Sequence, residues 1–294
     1  MAGRTVTRET RERIVMVTAV TSVAGLAALA SVWTAHAHPV PRGTATAAPH
    51  TSASKPKPKS SGKGAGTGTG KTSEPSKPIP GQTSVPDASL PAPRVSMDIA
   101  HASDKGAHAV NITIDDGPDP VWTPKILRVL KENGVKAVFC MIGPQAAAHP
   151  EIVRQVVAAG HRLCDHTVSH DTTMATKSRA YQSKEILDAE QMIEQASGGV
   201  KPLYYRAPGG AFTPYSRQIA AARAMRPLGW NVDSKDFDRP GTAALVATVK
   251  NELPNGPTVL FHDGGGDRGQ TVAALRRLLP WLKQQGYAFG FPVR

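Results

Sequence analysis

The 294 residues carry 35 Lys and Arg against 23 Asp and Glu, a formal charge of +12, and 40% of them are hydrophobic. The charge is lopsided: residues 1–94 hold 12 basic and 4 acidic residues and residues 95–294 hold 23 and 19, so +8 of the total belongs to the first third. A basic segment of this kind calls for an anionic neighbour such as lipid head groups or an acidic wall polymer. No aromatic residue is interleaved with the lysines between Lys55 and Lys77, which argues against single-stranded nucleic acid, whose binding uses stacking platforms; no specific nucleic-acid partner is expected.

At the start of the chain, Arg4, Arg8, Arg11 and Arg13 precede a charge-free run of 20 residues, Ile14 to Trp33, and then Ala35-His36-Ala37. Basic flank, apolar run and small-x-small site read as a signal peptide cleaved after Ala37; retained, the run is long enough to anchor the chain with its positive flank inside. Residues 1–37 are therefore assigned to export or anchoring, and the protein to an extracellular or cell-surface location. Residues 38–94 are rich in Pro, Gly, Ser, Thr and Lys. Such a composition cannot repay the entropy of ordering by burial and is expected to remain a disordered linker, its Pro-Lys part stiff and its Gly-Thr part floppy.

The core must come from residues 95–294, enough chain to bury one without staples. Here short β-rich runs alternate with helical stretches. The pattern predicts a strand over 110–114, a helix over 124–133 closed by Gly134, a strand over 137–142 and a helix over 150–159. A short strand over 162–164 precedes a long helix over 178–196, which ends at Gly198-Gly199. Then follow a strand over 203–205, a helix over 215–225, a strand over 227–232, a helix over 243–253, a strand over 258–261, a helix over 271–284 and a last strand over 287–291. Seven strands separated by helices argue for a parallel sheet. An open doubly wound sheet and a closed barrel satisfy the pattern equally.

The polar residues fall where strands end: Asp115 and Asp116, His166 and His170, Arg206, Asp233 and Asp236, His262 and Asp263. In parallel α/β folds these ends share one face, and that face carries the active site. Taken alone, Asp115-Asp116-Gly117-Pro118 reads as a turn, His166-x-x-x-His170 is a weak metal signal, and His262 reads as a core histidine. Together, two histidines and a carboxylate suit a divalent metal, most readily zinc, with an open position for water or substrate. Cys140 and Cys164 lie in consecutive strand segments. Export favours a disulfide between them; two buried thiols are the alternative.

The order and spacing of these segments resemble the polysaccharide deacetylase family, whose catalytic unit is the NodB homology domain (carbohydrate esterase family 4). The resemblance spans residues 107–291. It rests on "TIDDGPDP" for T-F-D-D-G-P, "HTVSH" for H-[ST]-x-x-H, "RAPGG" for R-x-P-Y, "DSKDF" for a motif ending Asp-Trp, and "LFH" for L-x-H. It implies a distorted (β/α) barrel of seven or eight strands over residues 95–294. It implies that Asp116, His166 and His170 bind one divalent ion, with zinc, cobalt or another metal suitable. Asp115 would be the general base oriented by Arg206, and His262 the general acid with Asp236 beside it. Leu260 would line the acetyl pocket, and Gly209 would offer a backbone N–H.

The implied reaction is hydrolysis of acetyl groups from an N-acetylated polysaccharide, peptidoglycan or chito-oligosaccharide, by a monomer. The rivals are an O-acetyl esterase acting on acetylxylan and a carbohydrate-binding protein without catalysis. Three residues depart from the family pattern. Ile114 replaces Phe. Gly209 replaces Tyr, removing an aromatic wall. Phe237 replaces Trp, keeping a wall but losing an N–H. The Gly209-Gly210 pair is expected to widen the groove and, with the basic linker, to favour peptidoglycan bound at an anionic wall or membrane surface.

Overall fold

A computed structural model describes residues 91–294. The charge-free run, the Ala37 cleavage point and nearly all of the proposed linker lie outside the described residues. Among the described residues, no helix is long and apolar enough to cross a membrane.

Among the described residues, eight strands and seven α-helices follow in order: β1 (Ala109–Asp115), α1 (Trp122–Glu132), β2 (Ala137–Met141), α2 (Gly143–Ala148), α3 (Pro150–Ala158), β3 (Arg162–Asp165), α4 (Arg179–Ser197), β4 (Tyr204–Tyr205), α5 (Pro214–Ala222), β5 (Arg226–Pro227), β6 (Val232–Asp233), α6 (Thr242–Glu252), β7 (Thr258–His262), α7 (Gly269–Gln284) and β8 (Ala288–Phe289). The strands run parallel in the order β5-β4-β3-β2-β1-β7-β6, and β8 pairs with the start of β1. β1 is central. Its Asp115 stands in register with Cys140 of β2 on one side and His262 of β7 on the other.

β1 is buried along its whole length, as expected of a strand covered on both faces. Its alternate residues go to different layers. Val110, Ile112 and Ile114 join Ile126 and Leu130 of α1 and Leu275 and Leu279 of α7 in the largest core cluster, each buried aliphatic side chain contributing roughly 1.5–3 kcal/mol. Asn111 and Thr113 are also buried, and both are hydrogen-bonded: Asn111 Nδ2 donates to Thr258 Oγ1 at 3.0 Å and Thr113 Oγ1 to the Val259 carbonyl at 2.8 Å. That polar side leads to Asp115.

The helices begin where the sequence supplies caps. Ser178 accepts from the Tyr181 N–H at the start of α4, and Thr213 and Ser216 form a capping box on α5. Gly198, in the left-handed region at φ 79°, closes α4.

Two expectations change. The strand expected over 227–232 is two short strands, β5 and β6, with residues 228–231 between them. These strands occupy opposite edges of the sheet. An extended segment cannot pair with both edges along its full length, so it leaves the ladder at Gly229 and Trp230 as it crosses. Because the two edges are only a few residues apart in the chain, the sheet must curl. The result is a half-barrel of parallel strands with helices, in keeping with the (β/α) barrel and not with an open doubly wound sheet. The second change is α2, a six-residue helix that hydrophobic periodicity does not register because it is too short and starts on Gly143-Pro144.

Cys140 and Cys164 are register partners with Cα atoms 4.1 Å apart, and they form a disulfide. They pack with Val138, Tyr204 and Leu228 in a separate interior cluster. Replacing both by Ala is expected to cost about 2–4 kcal/mol, read as a lower urea midpoint with a steeper slope, because the unbridged unfolded chain exposes more surface. Peptide mapping without reductant should show the linked pair, and two alkylatable thiols in exported protein would refute the bond.

Candidate active site

Asp115, Asp233 and His262 end β1, β6 and β7, and His166 and Arg206 directly follow β3 and β4. The curl of the sheet brings these ends round one cavity of about 390 Å3. Asp115, Asp116, His166, His170, Arg206, Gly209, Phe237, Leu260 and His262 all line it. Asp236 and Asp263 stand off the wall, Asp236 buried behind His262.

Arg206 is fully buried. Its Nη1 donates to Asp115 Oδ1 at 2.6 Å and to Thr113 Oγ1 at 3.0 Å, while Nε and Nη2 donate to the carbonyls of Leu228 and Gly229 at 3.2 and 2.9 Å. Each nitrogen of the guanidinium donates, so Arg206 fixes Asp115 rather than reaching for solvent. Burial is the main influence on Asp115 and raises its pKa above the usual carboxylate value, against the opposing charges of Arg206 and His262. The other carboxylate oxygen, Oδ2, lies 3.5 Å from His166 Nε2.

Beside it, Asp116 Oδ1 is 3.6 Å from His166 Nε2 and 3.3 Å from His170 Nε2. This oxygen is buried and has no hydrogen-bond partner. A buried carboxylate oxygen without a partner is costly unless a cation takes it. His166 Nδ1–H donates to the Arg206 carbonyl at 2.7 Å, which orients Nε2 toward Asp116 as a ligand lone pair. Burial holds the His166 pKa down to about 3, so the imidazole is neutral. One ligand atom from each of Asp116, His166 and His170 lies within 4.8 Å of the others. The set fits a divalent ion. Asp116, Thr167 and His170 all adopt positive φ (77°, 69° and 53°), a strained choice for such residues. That choice places both ends of the ligand set.

Across the cavity, His262 Nδ1–H donates to Asp236 Oδ1 at 2.6 Å. Asp236 Oδ2 accepts from the His262 N–H at 2.9 Å and from Thr271 Oγ1 at 2.8 Å. Burial disfavours the imidazolium, but the Asp236 hydrogen bond and charge, with Asp115 and Asp116 behind it, outweigh that and raise the His262 pKa to about 9. Burial likewise works against the Asp236 anion, yet its bonds to His262 and Thr271 bring its pKa below the usual value. A charged donor therefore faces a carboxylate held by an arginine, and Asp116, His166 and His170 line the same cavity. That arrangement can take a proton on one side and give one on the other.

Leu260, almost fully buried, lines the cavity, while Phe237 sits at the rim, 43% exposed and edge-on to His262 at 5.6 Å. Gly209 and Gly210 have φ of 58° and 72°. A Cβ on Gly210 would lie 3.1 Å from the Trp230 ring. The space cleared by the glycine pair is thus partly occupied by Trp230, which brings an aromatic wall back from another segment. Sequence reasoning missed Trp230 and Thr172 as lining residues and Thr271 as a partner of Asp236. Asp233 was visible at its strand end, and it pairs with Lys235 at 2.7 Å. Trp230 carried no signal, because it lay inside a segment read as strand.

Asp263 turns away from the cavity. Thr123 Oγ1 donates to its Oδ2 at 2.5 Å, and burial raises its pKa to about 7.

The polysaccharide deacetylase family model matches residues 102–228. A peptidoglycan-N-acetylglucosamine deacetylase from Bacillus cereus is 38% identical over 183 residues, covering 61% of this chain and 84% of that protein. A chitooligosaccharide deacetylase from Sinorhizobium fredii is 36% identical over 195 residues, covering 63% and 90%. Among solved structures, a carbohydrate esterase family 4 pseudoenzyme from Bacillus anthracis superposes with a TM-score of 0.61 at 27% identity, covering 67% and 68%. The fold by itself therefore does not secure the chemistry, and in this chain the acidic, imidazole and guanidinium groups around the cavity are all in place. With the matched segment, the extent of identity and the shared architecture in agreement, the chain belongs to the polysaccharide deacetylase family, enzymes of carbohydrate esterase family 4.

Proposed function

We propose that the protein removes acetyl groups from N-acetylglucosamine units of a polysaccharide, peptidoglycan or chito-oligosaccharide, outside the cell or at its surface. The observation that carries the reading is the pairing of Arg206-held Asp115 and Asp236-held His262 across one cavity, with the unpartnered Asp116 oxygen between them. A divalent ion, zinc being the most readily accommodated, would be held by Asp116, His166 and His170 and would supply Lewis-acid polarisation of the acetyl carbonyl and a more acidic water. Asp115 takes the proton of the attacking water. The Gly209 backbone N–H supports the oxyanion. His262 Nε2 gives its proton to the leaving amine while Asp236 stabilises the charge that it carries beforehand. Leu260 bounds the space for the acetyl methyl group. An extracellular setting suits the Cys140–Cys164 bond.

The test is acetate release from chitin oligomers, peptidoglycan and acetylxylan by the full chain. Release from the first or second is expected; release from acetylxylan alone would replace this reading with the O-acetyl esterase. The acid assignment has its own check. His262 is active when protonated, so turnover falls as pH rises through its pKa. Asp236→Asn removes the charge that raises that pKa, and the alkaline limb of the kcat profile is expected to move to lower pH. A limb that stays in place would mean that another group is the acid.

A further inference from the structure

The loop from His166 to His170 is held by a helix that takes no part in the reaction described above. Its backbone N–H groups can be followed one at a time. The His166 N–H donates to the Met141 carbonyl at 2.9 Å, and the Thr167 N–H to Asp165 Oδ1 at 2.8 Å. The Val168 and Ser169 N–H groups both donate to a single atom, Glu185 Oε2, at 3.1 and 2.8 Å. The His170 N–H donates to Thr167 Oγ1 at 3.2 Å. Of the side chains in this set, Glu185 is the one that reaches the loop from another element, α4, and it is buried there.

We propose that Glu185 is a positioning residue for the ligand set: its carboxylate holds the Val168-Ser169 turn and so sets where His170 stands relative to Asp116 and His166. The proposal rests on the assignment of those three residues to a divalent ion. Thr167 and His170 have φ of 69° and 53°, a backbone state that persists only where the surroundings impose it. The two N–H groups between them are the pair that Glu185 gathers. One carboxylate oxygen can accept from both at once, and its charge strengthens each bond. The two ligand rings also differ. His166 Nδ1 is oriented by the Arg206 carbonyl. Among the described residues, the polar and ring contacts of the His170 side chain are with Asp116 and His166 alone, which belong to the set themselves. The place of His170 is therefore set through its backbone.

The rest of α4 serves the same loop. Tyr181, Glu185 and Ala189 recur at every fourth residue and so share one stripe of the helix. Tyr181 OH lies 3.3 Å from Ser169 Oγ and donates to Asp171 Oδ2 at 3.2 Å. A Cβ on Gly143 would lie 2.9 Å from the Ala189 backbone, so α2 starts directly against α4, and the Gly143 N–H donates to the Thr167 carbonyl at 2.9 Å. The stripe thus meets the loop directly at Tyr181 and Glu185, and through Gly143 at Ala189.

The experiment titrates zinc into the metal-free full chain against a chelating dye, so that no turnover enters. Glu185→Ala leaves two N–H groups without their acceptor, and the Kd for zinc is expected to rise about 10- to 100-fold, the usual effect of removing a group that orients a metal ligand. Glu185→Asp keeps the charge but falls one methylene short, and is expected to weaken zinc binding as well. Glu185→Gln keeps an oxygen at the turn and is expected to recover most of the affinity. A role confined to stability would lower the melting temperature of the metal-free chain and leave the Kd of the folded protein unchanged. Unchanged zinc affinity in both Glu185→Ala and Glu185→Asp overturns the proposal, and so does affinity lost in Glu185→Gln but kept in Glu185→Asp, because charge and not reach would then decide it. An unsubstituted chain that binds no zinc overturns the ligand assignment and this proposal with it. Affinities that change as expected in a chain that releases acetate from no glycan uphold the positioning role and overturn the deacetylase reading instead.

Discussion

Asp115→Asn is expected to lower kcat on an N-acetylated oligomer by about 10² to 10⁴ while leaving KM and metal content close to wild type. The substitution is nearly isosteric. An Asn oxygen can still accept from Arg206 Nη1, which now stands 2.6 Å from Asp115 Oδ1, so the guanidinium keeps its partner and the cavity keeps its shape. What disappears is the ability to take a proton from water. That ability matters only on the way to the transition state, so the loss belongs in kcat and not in ground-state affinity. Steady-state kinetics on chitotetraose with metal analysis of the same sample separate the two. A variant with wild-type turnover would place the base elsewhere.

Chelation is the second large effect. Acetate release is expected to vanish when the divalent ion is removed and to return with zinc, cobalt or another divalent ion, and the purified protein should hold about one ion per chain. The reason is local. Asp116 Oδ1 is buried without a hydrogen-bond partner, and two imidazole nitrogens converge on it at 3.3 and 3.6 Å. Occupancy is also readable without turnover, because an ion that binds only the folded chain stabilises it by about 2.7 kcal/mol at a free concentration one hundred times Kd. Thermal melts with and without zinc should show the difference, and His170→Ala should remove it. Full activity in metal-free protein would sink the ligand assignment.

How much of this was legible in the sequence depended on the range of the signal. Asp115, Asp116, His166, His170, Arg206 and His262 could be located because each follows a strand whose apolar run is plain, and a parallel sheet carries all such ends to one face. The curl of the sheet was not legible in the hydrophobic pattern, and only the family resemblance implied it. It depends on residues 228–231 leaving the ladder, and period-two alternation persists through a segment whether or not it is paired. Trp230 was lost with it. The Gly209-Gly210 pair invited a reading of empty space because sequence shows what a residue lacks and not what a distant one brings. Thr271 reaches Asp236 across 35 positions of chain, and no local pattern reports such a bond.

The register of β1 has a further consequence. Asp115 is the Cα partner of both His262 and Cys140, and Cys140 is the partner of Cys164, which in turn partners Tyr204. The two residues proposed to exchange protons with substrate thus stand on one transverse row, a single strand spacing of about 4.8 Å apart at the backbone, and the sulfur bridge staples the next two places on that row. The sheet acts as a ruler. Its graduation is fixed by peptide hydrogen bonds that no side-chain substitution can rescale, and a slip of β7 by one residue would turn His262 to the opposite face. The walls around this row, Gly209 and Phe237 among them, can change without altering the spacing along it.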